Sequence, residues 1–107
     1  MEDGRILALL EQRNRDGLKE LWKKYGTEMS SIAFGICQDR AEAGEAVNEA
    51  LARVWDTVPP ERPRELSSYV FLLTRESARR TVHRHHTGTM GDPYRMDEIL
   101  LELGEVF

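Results

Sequence analysis

The amino-acid sequence predicts an all-α fold, a compact bundle of four to five helices. Three observations carry that prediction. Apolar residues recur at steps of three and four along every long segment, the spacing that gathers them on one helix face. No stretch alternates polar and apolar residues over the length of a strand. No Asn-Gly or Asp-Gly pair joins two alternating runs as a hairpin would. With 107 residues, one domain is expected at the usual ~100–200 residues per domain.

The first helix is expected from Asp3 to about Arg13, with Ile6, Leu7 and Leu10 on one face. Asn14-Arg15-Asp16-Gly17 breaks it, and Asp16 is a suitable N-cap for the next helix. The second helix carries Leu18, Leu21, Trp22, Tyr25, Met29, Ile32, Ala33 and Ile36 on one stripe, with Gly26 as a point where it can bend. Asp39 caps a third helix, whose apolar face is Ala43, Val47, Ala50, Leu51, Val54 and Trp55 and which Pro59-Pro60 ends. On these stripes Trp22, Tyr25 and Trp55 are expected to pack in the core.

Residues 57–64 hold three prolines and two arginines and form a loop partly shaped by the locked proline φ. A fourth helix starts near Glu65 and carries Leu66, Tyr69, Val70, Leu73, Ser77 and Val82. Its last turns are basic, which suits the negative end of the helix dipole. Thr87-Gly88-Thr89-Met90-Gly91 is expected as a flexible break. Asp92-Pro93 then opens a short amphipathic helix with Met96, Ile99, Leu100 and Leu103, closed by Gly104. The expected division is a helical domain over 1–88 and a short acidic helix or tail over 89–107.

Composition excludes several function classes. Apolar residues make up 40% of the chain and charged residues 32%, a globular balance rather than a disordered one. No apolar run approaches the ~18 residues of a membrane span, and the start, Met1-Glu2-Asp3-Gly4, has no signal-peptide character. A cytoplasmic protein with no membrane partner is expected. The single cysteine, Cys37, rules out a disulfide scaffold and a thiol metal site, and its apolar surroundings suit a small buried side chain.

The net charge of −4 conceals an uneven distribution. Residues 75–86 carry Arg75, Arg79, Arg80 and Arg84 against Glu76 alone, together with all three histidines. Residues 87–107 carry Asp92, Asp97, Glu98, Glu102 and Glu105 against Arg95. A local basic patch on an acidic domain can still meet phosphates, because the local field governs encounter. The acidic segment is expected to cap the core through Met96, Ile99 and Leu103; the alternative is that it folds back to shield the basic helix end.

No catalytic constellation is present: there is no glycine-rich phosphate loop, nucleophile motif or His-Glu-x-x-His pattern, so an enzyme is not expected and no cofactor is implied. Glu45 and Glu49 lie one helical turn apart, but no Glu-x-x-His supplies matching ligands, so they read as a solvated helix face. His83, His85 and His86 lack the helical metal-pair spacing of four and a nearby cysteine, so they read as a helix end facing solvent or nucleic acid. Tyr69 also lies on an apolar stripe, where core packing is the ordinary role; the alternative is that, following the proline loop and preceding the basic helix end, its ring is exposed and stacks on a base for ~1–3 kcal/mol.

The residues carry a family resemblance. The run Ala43-Gly44-Glu45-Ala46-Val47-Asn48-Glu49-Ala50-Leu51-Ala52-Arg53-Val54-Trp55 resembles the region 2 signature of extracytoplasmic-function sigma factors of bacterial RNA polymerase, approximately Ala-Glu-Asp-x-Val-Gln-Glu-x-Phe-x-x-Val-Trp. The run Leu66-Ser67-Ser68-Tyr69-Val70-Phe71-Leu72-Leu73-Thr74-Arg75 is similar to that family's Leu-x-x-Trp-Leu-Tyr-x-Ile-Ala-Arg. Leu18-Lys19-Glu20-Leu21-Trp22-Lys23-Lys24-Tyr25 resembles its opening helix, so the likeness spans roughly residues 5–86.

The resemblance implies a bundle of the sigma region 2 type that binds core RNA polymerase and recognises and melts the minus-ten promoter element in transcription initiation. It implicates Glu45, Asn48, Glu49 and Arg53 in docking on the clamp helices of the polymerase's largest subunit. It implicates the 57–68 loop, with Arg62, Arg64 and Ser67, and then Tyr69, Arg75, Arg79, Arg80 and Arg84, in capturing single-stranded promoter DNA. An anti-sigma factor or a co-sigma subunit is a further expected kind of partner.

The chain departs from the pattern at Gly44 and Glu76, where the family carries an acid and an asparagine, and at Asn48, Leu51, Tyr69 and Arg80. Only 21 residues follow His86, too few for a second, helix-turn-helix domain. The chain is therefore expected to be a region 2 fragment, a subunit of a split sigma factor or a degenerate relative. The second expectation is a sigma-like protein that binds polymerase or another protein without reading DNA; the third is an unrelated helical bundle that dimerises.

Overall fold

The computed structural model describes residues 1–90, with side chains up to residue 86. Among the described residues there are four helices and no strand: α1 (Asp3–Glu11), α2 (Asp16–Cys37), α3 (Arg40–Thr57) and α4 (Leu66–Met90). The all-α bundle predicted from the periodicity is the fold. The helix expected after Asp92 lies outside the described residues.

Each boundary has a local cause. Asp39 is extended, and its carboxylate accepts the Glu42 N–H at 2.9 Å, which caps α3 as expected. The start of α2 corrects the sequence reading: Asp16 is a first-turn residue, and the side chain of Asn14 accepts its N–H at 2.9 Å. α1 ends at Glu11 rather than Arg13, because Arg13 turns into the left-handed region at φ 58°. Gln38 does the same at φ 57° and ends α2. The break expected at 87–91 is also corrected, since α4 continues through Gly88 to Met90.

The core draws on all four helices. Ile6 and Leu10 of α1, Leu21 and Met29 of α2, Val54 of α3 and Leu66 and Val70 of α4 are fully buried. α1 lies antiparallel on α2, tied by Asp3, which accepts from the Tyr25 hydroxyl at 2.7 Å and from Lys24 Nζ at 2.8 Å. Gly17 permits that closeness, because a Cβ there would sit 3.0 Å from the Leu10 side chain and 3.1 Å from the Leu10 backbone nitrogen. Tyr25 meets Phe71 of α4 edge-on, with ring centroids 5.6 Å apart.

α3 and α4 pack antiparallel through small side chains. Ala46 and Ala50 of α3 and Ser77, Ala78 and Thr81 of α4 are all fully buried. The apolar stripe predicted for α4 thus continues as a stripe of buried hydroxyls. Thr74 satisfies its own by donating to the Val70 carbonyl at 2.8 Å, and Ser77 accepts from Arg53 at 3.4 Å. Cys37 is buried against α4 with Sγ 3.7 Å from the Ala78 carbonyl. Burial, then the charges of Glu42, Asp39 and Glu45, push its thiol up to about 11, so it packs as a small inert side chain.

Trp22 overturns its assignment to the core. The indole is 43% exposed and lies over Gly26, where a Cβ would come within 2.8 Å of the ring. Gly26 therefore does not bend α2, which runs unbroken; it makes room for the ring one turn back. Tyr25 and Trp55 are partly buried and pack against the core as expected.

Candidate functional site

Three of the candidate polymerase residues and two of the candidate DNA arginines meet along one seam. Three α3 positions spaced by four, Glu45, Glu49 and Arg53, face three α4 positions spaced by four in the opposite direction. Arg84 Nη2 lies 3.0 Å from Glu45, Arg80 Nε lies 3.6 Å from Glu49, and Arg53 Nη2 lies 2.9 Å from Glu76. The ladder thus pairs each of these candidate polymerase contacts with a residue of the basic helix. Asn48 is exposed on a different side of α3.

The ladder also locates the two least expected residues. Glu76 is held by Arg53, so its carboxylate is paired rather than presented bare to a phosphate. Arg80 stands over Glu49, whose Oε2 is buried without a hydrogen-bond partner among the described residues. That carboxylate is only partly compensated for the water it has lost.

The ladder ends in a pH-dependent contact. His85 Nε2 lies 2.7 Å from Glu45 Oε2. The hydrogen bond to Glu45 raises the histidine's pKa above its ordinary 6.5, and the same bond to His85, aided by Arg84, holds Glu45 below its ordinary 4.5. The histidine's contribution is complete below pH 6.5 and fades as pH rises through the raised folded value. The glutamate's is complete above pH 4.5 and fades as pH falls through the lowered one. His85→Gln is therefore expected to destabilise the protein more at about pH 5.5 than at about pH 8. Thermal melts of both proteins at the two pH values check this, and an equal loss at both would refute it.

A second set of α4 residues faces away from the seam. Ser68, Leu72, Arg75, Arg79 and His83 follow at helical steps of four, three, four and four, and all are exposed. Leu72 is 45% exposed, and Arg75 and Arg79 form no ion pair with the described residues. This stripe starts where the proline loop ends, beside exposed Arg64. Arg62 is exposed but lies 3.5 Å from Glu11, and Ser67 is half-buried in the first turn of α4.

Tyr69 sits differently from a free stacking platform. It is partly buried against the core, and its hydroxyl donates to Thr57 Oγ1 at 2.7 Å. Thr57 in turn donates to the Arg53 carbonyl at 2.7 Å. The ring thus ties the first turn of α4 to the last turn of α3 and closes the base of the loop.

Between α2 and α3 opens a groove of about 540 Å³, lined by Trp22, Phe34, Arg40, Gly44, Val47 and Asn48 among others. Phe34 is 48% exposed, and nothing lies within 4 Å of where a Cβ on Gly44 would point. Sequence reasoning did not select Phe34, Leu72 or Trp22 as surface residues. Phe34 had a signal, since it falls off the stripe Ile32–Ala33–Ile36; Trp22 had none, because it adjoins Leu21 on the stripe itself.

These features define a small helical binding module, with a paired-charge seam, an apolar groove and an arginine stripe. A family profile described as sigma-70 region 2 matches residues 21–87. The chain belongs to the sigma-70 region 2 family. No curated protein and no solved structure matches it. No described helix is long and apolar enough to cross a membrane, and no group of three or more His, Cys, Asp or Glu among the described residues could hold a metal ion.

Proposed function

We propose that this chain acts as a region 2 module of an extracytoplasmic-function sigma factor in a bacterial cytoplasm, docking on core RNA polymerase and capturing single-stranded minus-ten DNA. The observation that carries the reading is the exposed stripe Leu72–Arg75–Arg79, which prolongs the arginine-bearing loop along one side of α4. A stripe of exposed guanidinium groups beside a loop, unpaired among the described residues, can track a phosphate backbone, while an exposed apolar side chain lies against the bases. In this reading Arg64, Arg75 and Arg79 make the first phosphate contacts, and Ser67, Arg62, Arg80 and Arg84 join them. Tyr69 holds the loop's base.

Polymerase docking uses α3. The α2–α3 groove offers apolar contact through Trp22 and Phe34, and Asn48 lies on its wall. A clamp helix laid there meets Asn48 first, with Glu45, Glu49 and Arg53 at the seam edge. The charged seam residues supply charge-assisted hydrogen bonds to the partner. An anti-sigma factor or co-sigma subunit would be served by the same groove.

A second reading has its own support. Arg80 and Arg84 already face Glu49 and Glu45, which lowers the charge available to DNA. A protein that used the seam only as structure would bind the clamp, or another protein, without reading DNA.

The deciding experiment measures binding of the full chain to a clamp-helix fragment and to a minus-ten single-stranded oligonucleotide at two salt concentrations. Binding to both is expected. For the oligonucleotide, log affinity is expected to fall by about 0.7 per phosphate contact for each unit of log salt. Clamp binding alone would establish the second reading, and binding to neither would overturn both.

A further inference from the structure

The turn between α1 and α2 grips the loop that follows α3. α3 carries no basic residue in its own last turn, so its C-terminal carbonyls and negative dipole end lack a cation from within the helix. Arg13 supplies one from outside: its Nη1 donates to the Trp55 carbonyl at 2.7 Å and to the Val58 carbonyl at 3.4 Å. The same guanidinium sits over the Trp55 ring with Cζ 3.8 Å from its centroid, and Arg15 Cζ lies 5.7 Å from it. Glu11, two residues earlier, reaches Arg62 in the middle of the loop at 3.5 Å.

Arg13 reaches Trp55 and Val58 from a backbone conformation that residues other than glycine seldom adopt, φ 58°. Such a conformation persists where surrounding contacts over-determine it. Here the close of α1 sets it, the Arg13 N–H donating to the Leu10 carbonyl and the Asn14 N–H to the Leu9 carbonyl, each at 2.9 Å; the side chain it projects then reaches the end of α3 and the start of the loop. None of these turn residues lies within the segment that matches the family, residues 21–87.

We infer that Arg13 is a positioning residue for the 58–65 loop: it caps α3 from a neighbouring element, stacks on Trp55 and so holds the loop in the shape that receives a single strand. The inference rests on the proposed DNA reading. Its chemistry is distinct from phosphate binding, because Nη1 donates to the Trp55 and Val58 carbonyls and one face of the guanidinium lies over the Trp55 ring.

Arg13→Gly tests it, since glycine keeps the left-handed turn without strain and removes only the side chain. In the full chain, the amides of Val58 and Glu61, which donate to the Val54 and Thr57 carbonyls, are expected to exchange faster while α2 and α4 stay protected. The loop must then be ordered on binding, so affinity for the single-stranded oligonucleotide is expected to fall about fivefold. Clamp binding and the slope of log affinity against log salt are expected to stay unchanged. Arg13→Lys keeps a donor for the carbonyls and is expected to recover part of the affinity.

A slope shallower by about 0.7 would show that Arg13 contacts phosphate itself and would overturn the inference. Unchanged affinity in Arg13→Gly, beside a wild type that binds, would overturn it as well. A wild type that binds no oligonucleotide would overturn the DNA reading and, with it, any part for Arg13 in strand capture. Amide exchange would then still report whether the turn holds the loop.

Discussion

Replacing Glu45 and Glu49 together by glutamine is expected to tighten single-stranded DNA binding on the order of tenfold at low salt and to weaken clamp binding. The opposite signs follow from the ladder. Each glutamate is a candidate polymerase contact and the intramolecular partner of a candidate DNA contact, Arg84 at 3.0 Å and Arg80 at 3.6 Å. Removing the two carboxylates frees both arginines and removes two charges that repel phosphate. Two added phosphate contacts would steepen the dependence of log affinity on log salt by about 1.4.

Folding is expected to change little. Ion pairs at exposed positions contribute little in water, and Glu49 Oε2 is buried without a partner among the described residues, so an uncharged amide there relieves a desolvated oxygen. Titrations of wild type and double variant at two salt concentrations measure the effect. An oligonucleotide affinity and salt slope indistinguishable from wild type would show that Arg80 and Arg84 take no part in DNA binding. A clamp affinity that did not fall would remove Glu45 and Glu49 from the polymerase surface.

Leu21→Ala is expected to be the most damaging of these changes to stability. Leu21 is fully buried in α2, in the core that joins α2 to its neighbours. Truncating a buried leucine loses the transfer of its methyls from water and leaves a cavity, together about 2–5 kcal/mol. In a chain of this size each kcal/mol moves the melting midpoint by roughly 4–8 °C. Leu72→Ala is the matched control: its side chain is 45% exposed, and its loss is expected to cost less than about 0.5 kcal/mol. Denaturant unfolding of the two variants measures the difference, and similar losses would contradict this description of the core.

Much of the fold was legible in the sequence because helix periodicity is a local property. The stripe Leu21–Tyr25–Met29–Ala33–Ile36 has one period, and tertiary contacts only choose what covers it. Asp39 was readable as a cap because its carboxylate acts three residues away. The start of α2 differs from the sequence reading because the helix begins at Asp16 itself, behind Arg15, while the Asn14 side chain accepts the Asp16 N–H. Trp22 was misread because a stripe wide enough to hold Leu21 and Trp22 side by side has an edge, and the small Gly26 let the ring settle there.

The candidate site was legible as a set of residue types and not as an arrangement. Sequence by itself determined an all-helical chain, membership of the sigma-70 region 2 family across residues 21–87, and an excess of arginine along α4. Those follow from nearest-neighbour spacing and composition, which the chain carries wherever it folds. Only the tertiary structure decided which arginines are paired with acids among the described residues. It put Arg80 and Arg84 against acids some thirty and more residues earlier in the chain, and gave Arg75 and Arg79 no such partner among the described residues. It also brought Arg13 to the end of α3. Charge pairing depends on distance in space, falling off within angstroms, and the antiparallel packing of α3 on α4 set those distances.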